Sequence, residues 1–173
     1  MVGSPLSQVV DRFVHARSDV RAHWFADAEP ALTSLRACGL RVGSVTNGNC
    51  DVRRHADVSS FFDFAISAPE AGAAKPSPAP FWHAAAAAGC HPASLVHVGD
   101  DATTDLAGAL GAGCRAILVC RGSDGGNGRA SAEALPPPDA TRWRQVADLK
   151  QAIDVIEEWR TETSVASPLQ VGR

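Results

Sequence analysis

Three polar clusters in the sequence hold groups that can handle an anion or a divalent cation. The first is Ser44-Val45-Thr46-Asn47-Gly48. A hydroxyl and a carboxamide beside a glycine can donate hydrogen bonds to a phosphate, because glycine lets backbone N–H groups come close. Taken alone, Asn-Gly is also the commonest turn dipeptide. The second cluster is Gly72-Ala73-Ala74-Lys75-Pro76. A lysine before proline sits on an extended backbone, and its ammonium can neutralise an anion or clamp a carboxylate. A lone lysine is more often a solvated surface residue. The third cluster is Gly99-Asp100-Asp101, with Asp105 following. Adjacent carboxylates repel each other, and a divalent cation or a lysine can offset that repulsion. Magnesium takes one or two carboxylates plus waters and substrate phosphate. Helix capping would need only one of these acids, so the cluster points to function.

Each cluster must be carried by an element that ends there. Leu6, Val9, Val10, Phe13 and Val14 recur at helical spacing, which predicts a helix over 6–17. Asp27 is placed to cap a helix over Ala28 to Ala37, which Gly39 stops. Leu40 to Val45 reads as a buried strand, followed by a helix up to about His55, then a strand from Phe61 to Ser67. Pro80 suits the first turn of a helix through Ala88. Ser94 to Val98 reads as a third strand, Asp105 to Leu110 as a helix begun near Thr103 or Thr104, and Ala116 to Cys120 as a fourth strand. Leu149, Ala152, Ile153, Ile156 and Trp159 line one face of a last helix, with Asp148 as its cap. This alternation predicts a parallel α/β sheet with helices on both faces. In such sheets ligands bind outside the carboxyl ends of the strands, where all three clusters fall.

Composition narrows the function classes. Hydrophobic residues make up 45% of the 173, but many are alanines, as in Ala84 to Ala88, so the core is thin. Lys+Arg 16 against Asp+Glu 19 gives a net charge of −3, with no basic stripe. That excludes a dedicated nucleic-acid or membrane-surface binder. No apolar run approaches a membrane span, and the N-terminus shows no signal or transit pattern, so a soluble, cytoplasmic protein is expected. Cys38, Cys50, Cys90, Cys114 and Cys120 are scattered and odd in number, as expected of free thiols. Cys90-His91 with His97 could be imagined as metal ligands, but no second pair at zinc-site spacing supports it. No internal repeat is present.

Hydroxyl, lysine and acids, each after its own strand and in that order, resemble the haloacid dehalogenase-like (HAD) hydrolase superfamily, phosphatase type with a helical cap. Val42 to Thr46 matches its second motif, Glu70-Ala71-Gly72-Ala73-Ala74-Lys75-Pro76 its third, and Gly99, Asp100 and Asp105 its fourth. The resemblance covers about residues 6–121. It implies a Rossmann-like parallel core and Mg2+-dependent hydrolysis of a small phosphorylated metabolite. By the same resemblance Thr46, Asn47, Gly48 and Lys75 hold the phosphate, with Thr46 and Lys75 catalytic. Asp100 and Asp101 bind magnesium, and Asp105 orients the lysine or a metal-bound water.

The family's first motif, Asp-x-Asp after the first strand, supplies the nucleophile and the general acid. The acids before Thr46 are Asp11, Asp19, Asp27 and Glu29, and none follows a buried apolar strand. Asp27-Ala28-Glu29 matches the family's cap-to-core junction instead. The expectation is therefore a core that lacks the central strand of the family order 3-2-1-4-5. Losing about four buried side chains at ~1.5–3 kcal/mol each approaches the whole ~5–15 kcal/mol stability of a domain. One outcome open to such a chain is direct pairing of the strands of Thr46 and Asp100 across the gap, a non-native sheet with a collapsed site. The chain would be an N-terminally truncated product, from an alternative transcript, an incomplete gene model or a cloned fragment, and inactive. Its organisation would be a cap remnant over 1–26, a core over 27–121, a Gly/Pro-rich loop over 122–140, a C-terminal segment and helix over 141–160, and a flexible tail over 161–173.

Competing readings are a non-catalytic binding module, a receiver domain and a dinucleotide-binding domain. A receiver places its acidic pair after the first strand and its lysine after the last, the reverse of the order here. A dinucleotide site needs G-x-G-x-x-G between strand and helix, and Gly108, Gly111 and Gly113 fall too late. Substrate identity and oligomeric state are not encoded in these motifs.

Overall fold

A computed structural model of the chain describes residues 21, 24–48, 52–122, 135–137 and 139–166. The helix expected over 6–17, most of the cap remnant and most of the Gly/Pro-rich loop lie outside the described residues. Among the described residues five parallel strands fall into two sheets: β1 (Gly43–Thr46) pairs with β2 (Phe64–Ser67), and β3 (Val96–Gly99), β4 (Arg115–Val119) and β5 (Trp143–Val146) lie side by side in that order.

β4 shows why the larger sheet is buried on both faces. Along Arg115-Ala116-Ile117-Leu118-Val119 successive side chains alternate between faces. Ala116 and Leu118 meet Phe81, Leu106, Ala109 and Trp143, whereas Ile117 and Val119 meet Val146, Ala152 and Trp159. Such a continuous apolar run is the mark of a parallel strand covered on both sides. One cover is the helix α4 (Ala79–Ala88) with the segment after β3, and the other is the long helix α6 (Leu149–Ala166). The small sheet packs Ala65 against Val52 and Val58.

Several expectations need correction. The helix α1 (Ala28–Ala37) has its expected bounds, but the Asp27 side chain does not cap it. The Asp27 carboxylate instead accepts from Arg121 Nη2 and from the Leu149 N–H, both at 2.9 Å, tying the start of α1 to the segment after β4 and to the start of α6. The helix expected before His55 is a 3-10 turn, Val52–Arg54, followed by α2 (Ala56–Ser59). The segment after β3 starts at Ala102, earlier than expected, because Asp101 caps it. It runs as a π-helical turn over Ala102–Ala107 before α5 (Gly108–Gly111). β5 was not anticipated. Only its ends, Trp143 and Val146, are buried, so no alternation marks Trp143-Arg144-Gln145-Val146 as a strand. α6 continues through Ala166, past the point where a frayed tail was expected.

The two sheets also overturn the collapsed site. β1 and β3 do not pair. The Lys75 side chain links them, with Nζ donating to the Val45 carbonyl at 3.1 Å and to Asp105 Oδ1 at 2.5 Å. A backbone acceptor must find a donor, and here a buried ammonium meets that need.

Candidate active site

The lysine is placed by its own loop. Ser67, at the end of β2, forms a reciprocal cap with Glu70: the Glu70 N–H donates to Ser67 Oγ, and Glu70 Oε2 accepts from the Ser67 N–H at 2.9 Å. The bonds from Arg53 and Ser67 hold the Glu70 carboxyl down at about 2. Gly72, at φ 71°, ends this single turn, α3 (Ala68–Ala71), in the left-handed region that favours glycine. The chain then reaches Lys75, whose backbone is gripped by Asn47: Asn47 Oδ1 accepts the Lys75 N–H at 2.7 Å and Asn47 Nδ2 donates to the Lys75 carbonyl at 2.8 Å. The Lys75–Pro76 peptide is cis. Only 11% of the Lys75 side chain is exposed, so it is no surface lysine.

The acids divide into three roles. Asp105 is buried and saturated: Oδ1 takes Lys75 Nζ and His97 Nε2 (2.9 Å), and Oδ2 takes the N–H groups of Asp100 (3.2 Å) and Asp101 (3.1 Å). Burial alone would raise its pKa, but the bonds from His97 and Lys75 outweigh that and hold the carboxyl well below its ordinary range. A carboxylate has about four acceptor positions, and all four of Asp105 are taken, which keeps none for a metal. Asp101 Oδ1 accepts from Thr103 N (2.8 Å) and Thr104 N (2.6 Å), which makes it a helix cap and lowers its pKa. Asp100 is exposed at the end of β3, and among the described residues no donor engages its carboxylate. Its charge helps burial to raise the Cys120 thiol.

Magnesium fits this set in a limited way. Among the described residues no group of three or more His, Cys, Asp or Glu could hold a metal ion. Asp100 offers one unengaged carboxylate, which suits an ion that takes one or two carboxylates and fills its shell with water and phosphate.

In the first cluster, Thr46 Oγ1 accepts from the Gly48 N–H at 2.9 Å. The Thr46 hydroxyl keeps its own proton to donate, while the Gly48 N–H is engaged within the turn. Of the four acids before Thr46, Asp27 holds Arg121 and Leu149, and Glu29 pairs with Arg21 at 2.6 Å. Asp11 and Asp19 lie outside the described residues. His91 Nδ1 accepts the Ala93 N–H, which gives it a capping role in place of the imagined metal one. The buried Cys114 thiol is pushed up to about 11 by burial, which disfavours the thiolate.

Sequence reasoning weighed His97 only as a metal ligand and missed its place beneath Asp105. A signal was available: an imidazole between Val96 and Val98 in a buried strand must find a polar partner.

A family model described as HAD-hydrolase-like matches residues 72–152. A phosphoserine phosphatase of Thermus thermophilus is 35% identical over 102 residues, 57% of this chain and 41% of the relative. A glyceraldehyde 3-phosphate phosphatase of Methanopyrus kandleri is 29% identical over 129 residues, 72% of this chain and 55% of the relative. The crystal structure of a 2-haloacid dehalogenase from Pseudomonas syringae superposes with a TM-score of 0.72 at 32% identity, covering 88% of this chain and 60% of that one. The chain thus spans about two-fifths to just over half the length of these curated relatives. Among the described residues no helix is long and apolar enough to cross a membrane. By these matches the chain is similar to the haloacid dehalogenase-like hydrolases in sequence over residues 72–152 and in fold.

Proposed function

We propose that the residues at the carboxyl ends of β1 and β3 are the phosphate- and magnesium-binding part of a phosphomonoesterase site for small phosphorylated metabolites. The observation that carries this reading is the buried Lys75–Asp105 pair at 2.5 Å, tied to the Val45 carbonyl next to Thr46. An ammonium has three N–H donors. Two are spent on Val45 and Asp105, and the third is the one that meets a phosphoryl oxygen. The Thr46 hydroxyl donates a second bond to the same group. Asn47 acts one step back by fixing the Lys75 backbone. Asp100 is the residue that would hold magnesium, with Asp101 contributing mainly as the cap. When bound, the ion would offset negative charge on the phosphoryl group.

Hydrolysis in this chemistry also needs a carboxylate that attacks phosphorus. Asp27 and Glu29 are engaged elsewhere, so the described residues bring none to Lys75 from the N-terminal side. On the described residues the proposed site is a phosphate-binding one, and turnover would need a carboxylate that they do not bring to Lys75.

The test is a calorimetric titration with orthophosphate, with and without Mg2+, beside an assay on p-nitrophenyl phosphate. Expected are Mg2+-enhanced binding that Lys75→Ala removes, and no turnover above background. Absence of binding sinks the phosphate reading. Turnover that disappears in Asp100→Asn sinks the inactive one. Release of chloride from 2-chloropropionate would instead place the site with the dehalogenase named above.

A further inference from the structure

His97 is a buried ionisable group that the proposed chemistry does not use. It stands on β3 with its ring edge-to-face against Phe81, at a centroid distance of 5.0 Å and an interplanar angle of 88°. Its Nε2 lies 2.9 Å from Asp105 Oδ1, the same oxygen that takes Lys75. A valine would fill a buried strand position without desolvating an imidazole, so the ring costs stability unless its N–H is used. Against a carboxylate, that use requires hydrogen on Nε2.

We propose that His97 is a positioning residue: as a neutral imidazole donating from Nε2, it locks the Asp105 carboxylate so that Lys75 presents its third N–H to the phosphate. Neutrality suits the role. A second cation would compete with Lys75 for Oδ1, whereas a neutral donor fixes the oxygen without adding charge. Burial, helped by the nearby Lys75 charge, keeps His97 neutral against the pull of Asp105. The lock is two-sided, because the backbone N–H groups of Asp100 and Asp101 hold Oδ2 while His97 holds Oδ1. Without His97, only the flexible lysine bonds Oδ1. The carboxylate can then turn about its last torsion and take the ammonium with it. The inference rests on the phosphate reading for its purpose, but its geometry can be read without any substrate.

The experiment is nitrogen NMR on the full chain, wild type beside His97→Gln and His97→Phe. Glutamine can donate from a similar place. Phenylalanine keeps the ring contact with Phe81 and lacks the donor. Wild type should show the Nε2–H tautomer at neutral pH and a slowly exchanging Lys75 ammonium signal. His97→Gln should keep the ammonium signal and His97→Phe should lose it. Orthophosphate affinity should fall about tenfold in His97→Phe, the loss expected when one hydrogen bond to a charged group goes, and recover in His97→Gln. An Nδ1–H tautomer or an imidazolium in wild type overturns the proposal, whatever the variants do. A protected ammonium in a folded His97→Phe also overturns it. If wild type shows both NMR signatures but binds no phosphate, the phosphate reading fails and the positioning of Lys75 stands.

Discussion

Asn47 and Lys75 meet as a pair of amides: the Asn47 carboxamide accepts the Lys75 N–H at 2.7 Å and donates to the Lys75 carbonyl at 2.8 Å. The turn after β1 and the loop after β2 are locked together through a lysine backbone rather than a lysine charge. Asn47→Asp keeps the acceptor, loses the donor and adds a negative charge. Asn47→Ala loses both bonds. Each exposed bond contributes ~0.5–1.5 kcal/mol, so Asn47→Ala, which loses two, should lower unfolding free energy in urea by about 1–3 kcal/mol. Orthophosphate binding should weaken in both variants. A variant that loses phosphate affinity at unchanged stability would make Asn47 a direct ligand instead.

Asp100 and Asp101 are adjacent but should separate cleanly. Asparagine is as good a cap as aspartate, whereas alanine costs ~1 kcal/mol. Asp101→Asn should therefore leave both stability and Mg2+ binding close to wild type, and Asp101→Ala should cost stability alone. Asp100→Asn should remove the Mg2+ enhancement of orthophosphate binding with little change in urea unfolding. Loss of Mg2+ binding in folded Asp101→Asn would show that Asp101 is a ligand as well as a cap.

How far the sequence was legible can be followed through particular residues. β4 was readable because an unbroken apolar run has few alternatives. That Lys75, Asp100 and Asp105 come together was readable because each follows a strand, and strand ends gather at one edge of a parallel sheet. The partners were not readable. Asp27 meets Arg121 and Leu149 from 94 and 122 residues away, and no local period records such pairings. Asp27 looked like a cap because it precedes a helix, but a long-range guanidinium and a free helix N–H offered it better bonds. The role of Ser67 and Glu70 is written locally, since Ser-x-x-Glu spells a capping box.

The Asp27 bridge predicts a stability effect remote from the candidate site. Asp27→Ala takes the carboxylate from Arg121, which keeps its stacking on the Phe25 ring at 4.0 Å, and leaves the Leu149 N–H without its acceptor. A hydrogen bond to a charged group contributes ~1.5–3 kcal/mol when well shielded. This one is about a quarter exposed, so the low end, about 1–2 kcal/mol, is expected from urea unfolding. A loss no larger than that of an exposed helix-surface substitution would mean that the bridge contributes nothing measurable.

Gly99 is where the backbone must make room for the site. A Cβ built there would lie 2.3 Å from the Asp105 carboxyl carbon. Gly99→Ala should displace Asp105 from its four donors and cost about 1–3 kcal/mol, the range for forced overpacking. The Lys75 ammonium signal should be lost with it. Gly111→Ala is the control, since a Cβ there meets nothing within 4 Å. It should be neutral or stabilise by up to ~1 kcal/mol through helix propensity. Equal effects of the two substitutions would mean that the close approach at Gly99 is unimportant.

Acid should weaken the fold in two separable steps. His97 has its pKa lowered from the ordinary 6.5, first by burial. As pH falls below that value the unfolded chain takes the proton before the folded one does. The stability linked to the neutral ring is complete above the unfolded pKa and declines as pH falls toward the folded one. Asp105, lowered from 3.8, adds a second loss that begins only below its unfolded value. Urea midpoints measured from pH 8 down to 3 should therefore begin to fall below about 6.5 and fall faster below about 4. In His97→Phe the upper step should vanish and the lower one remain. An unchanged upper step in that variant would assign it to another group and would mean that His97 is not held neutral in the fold.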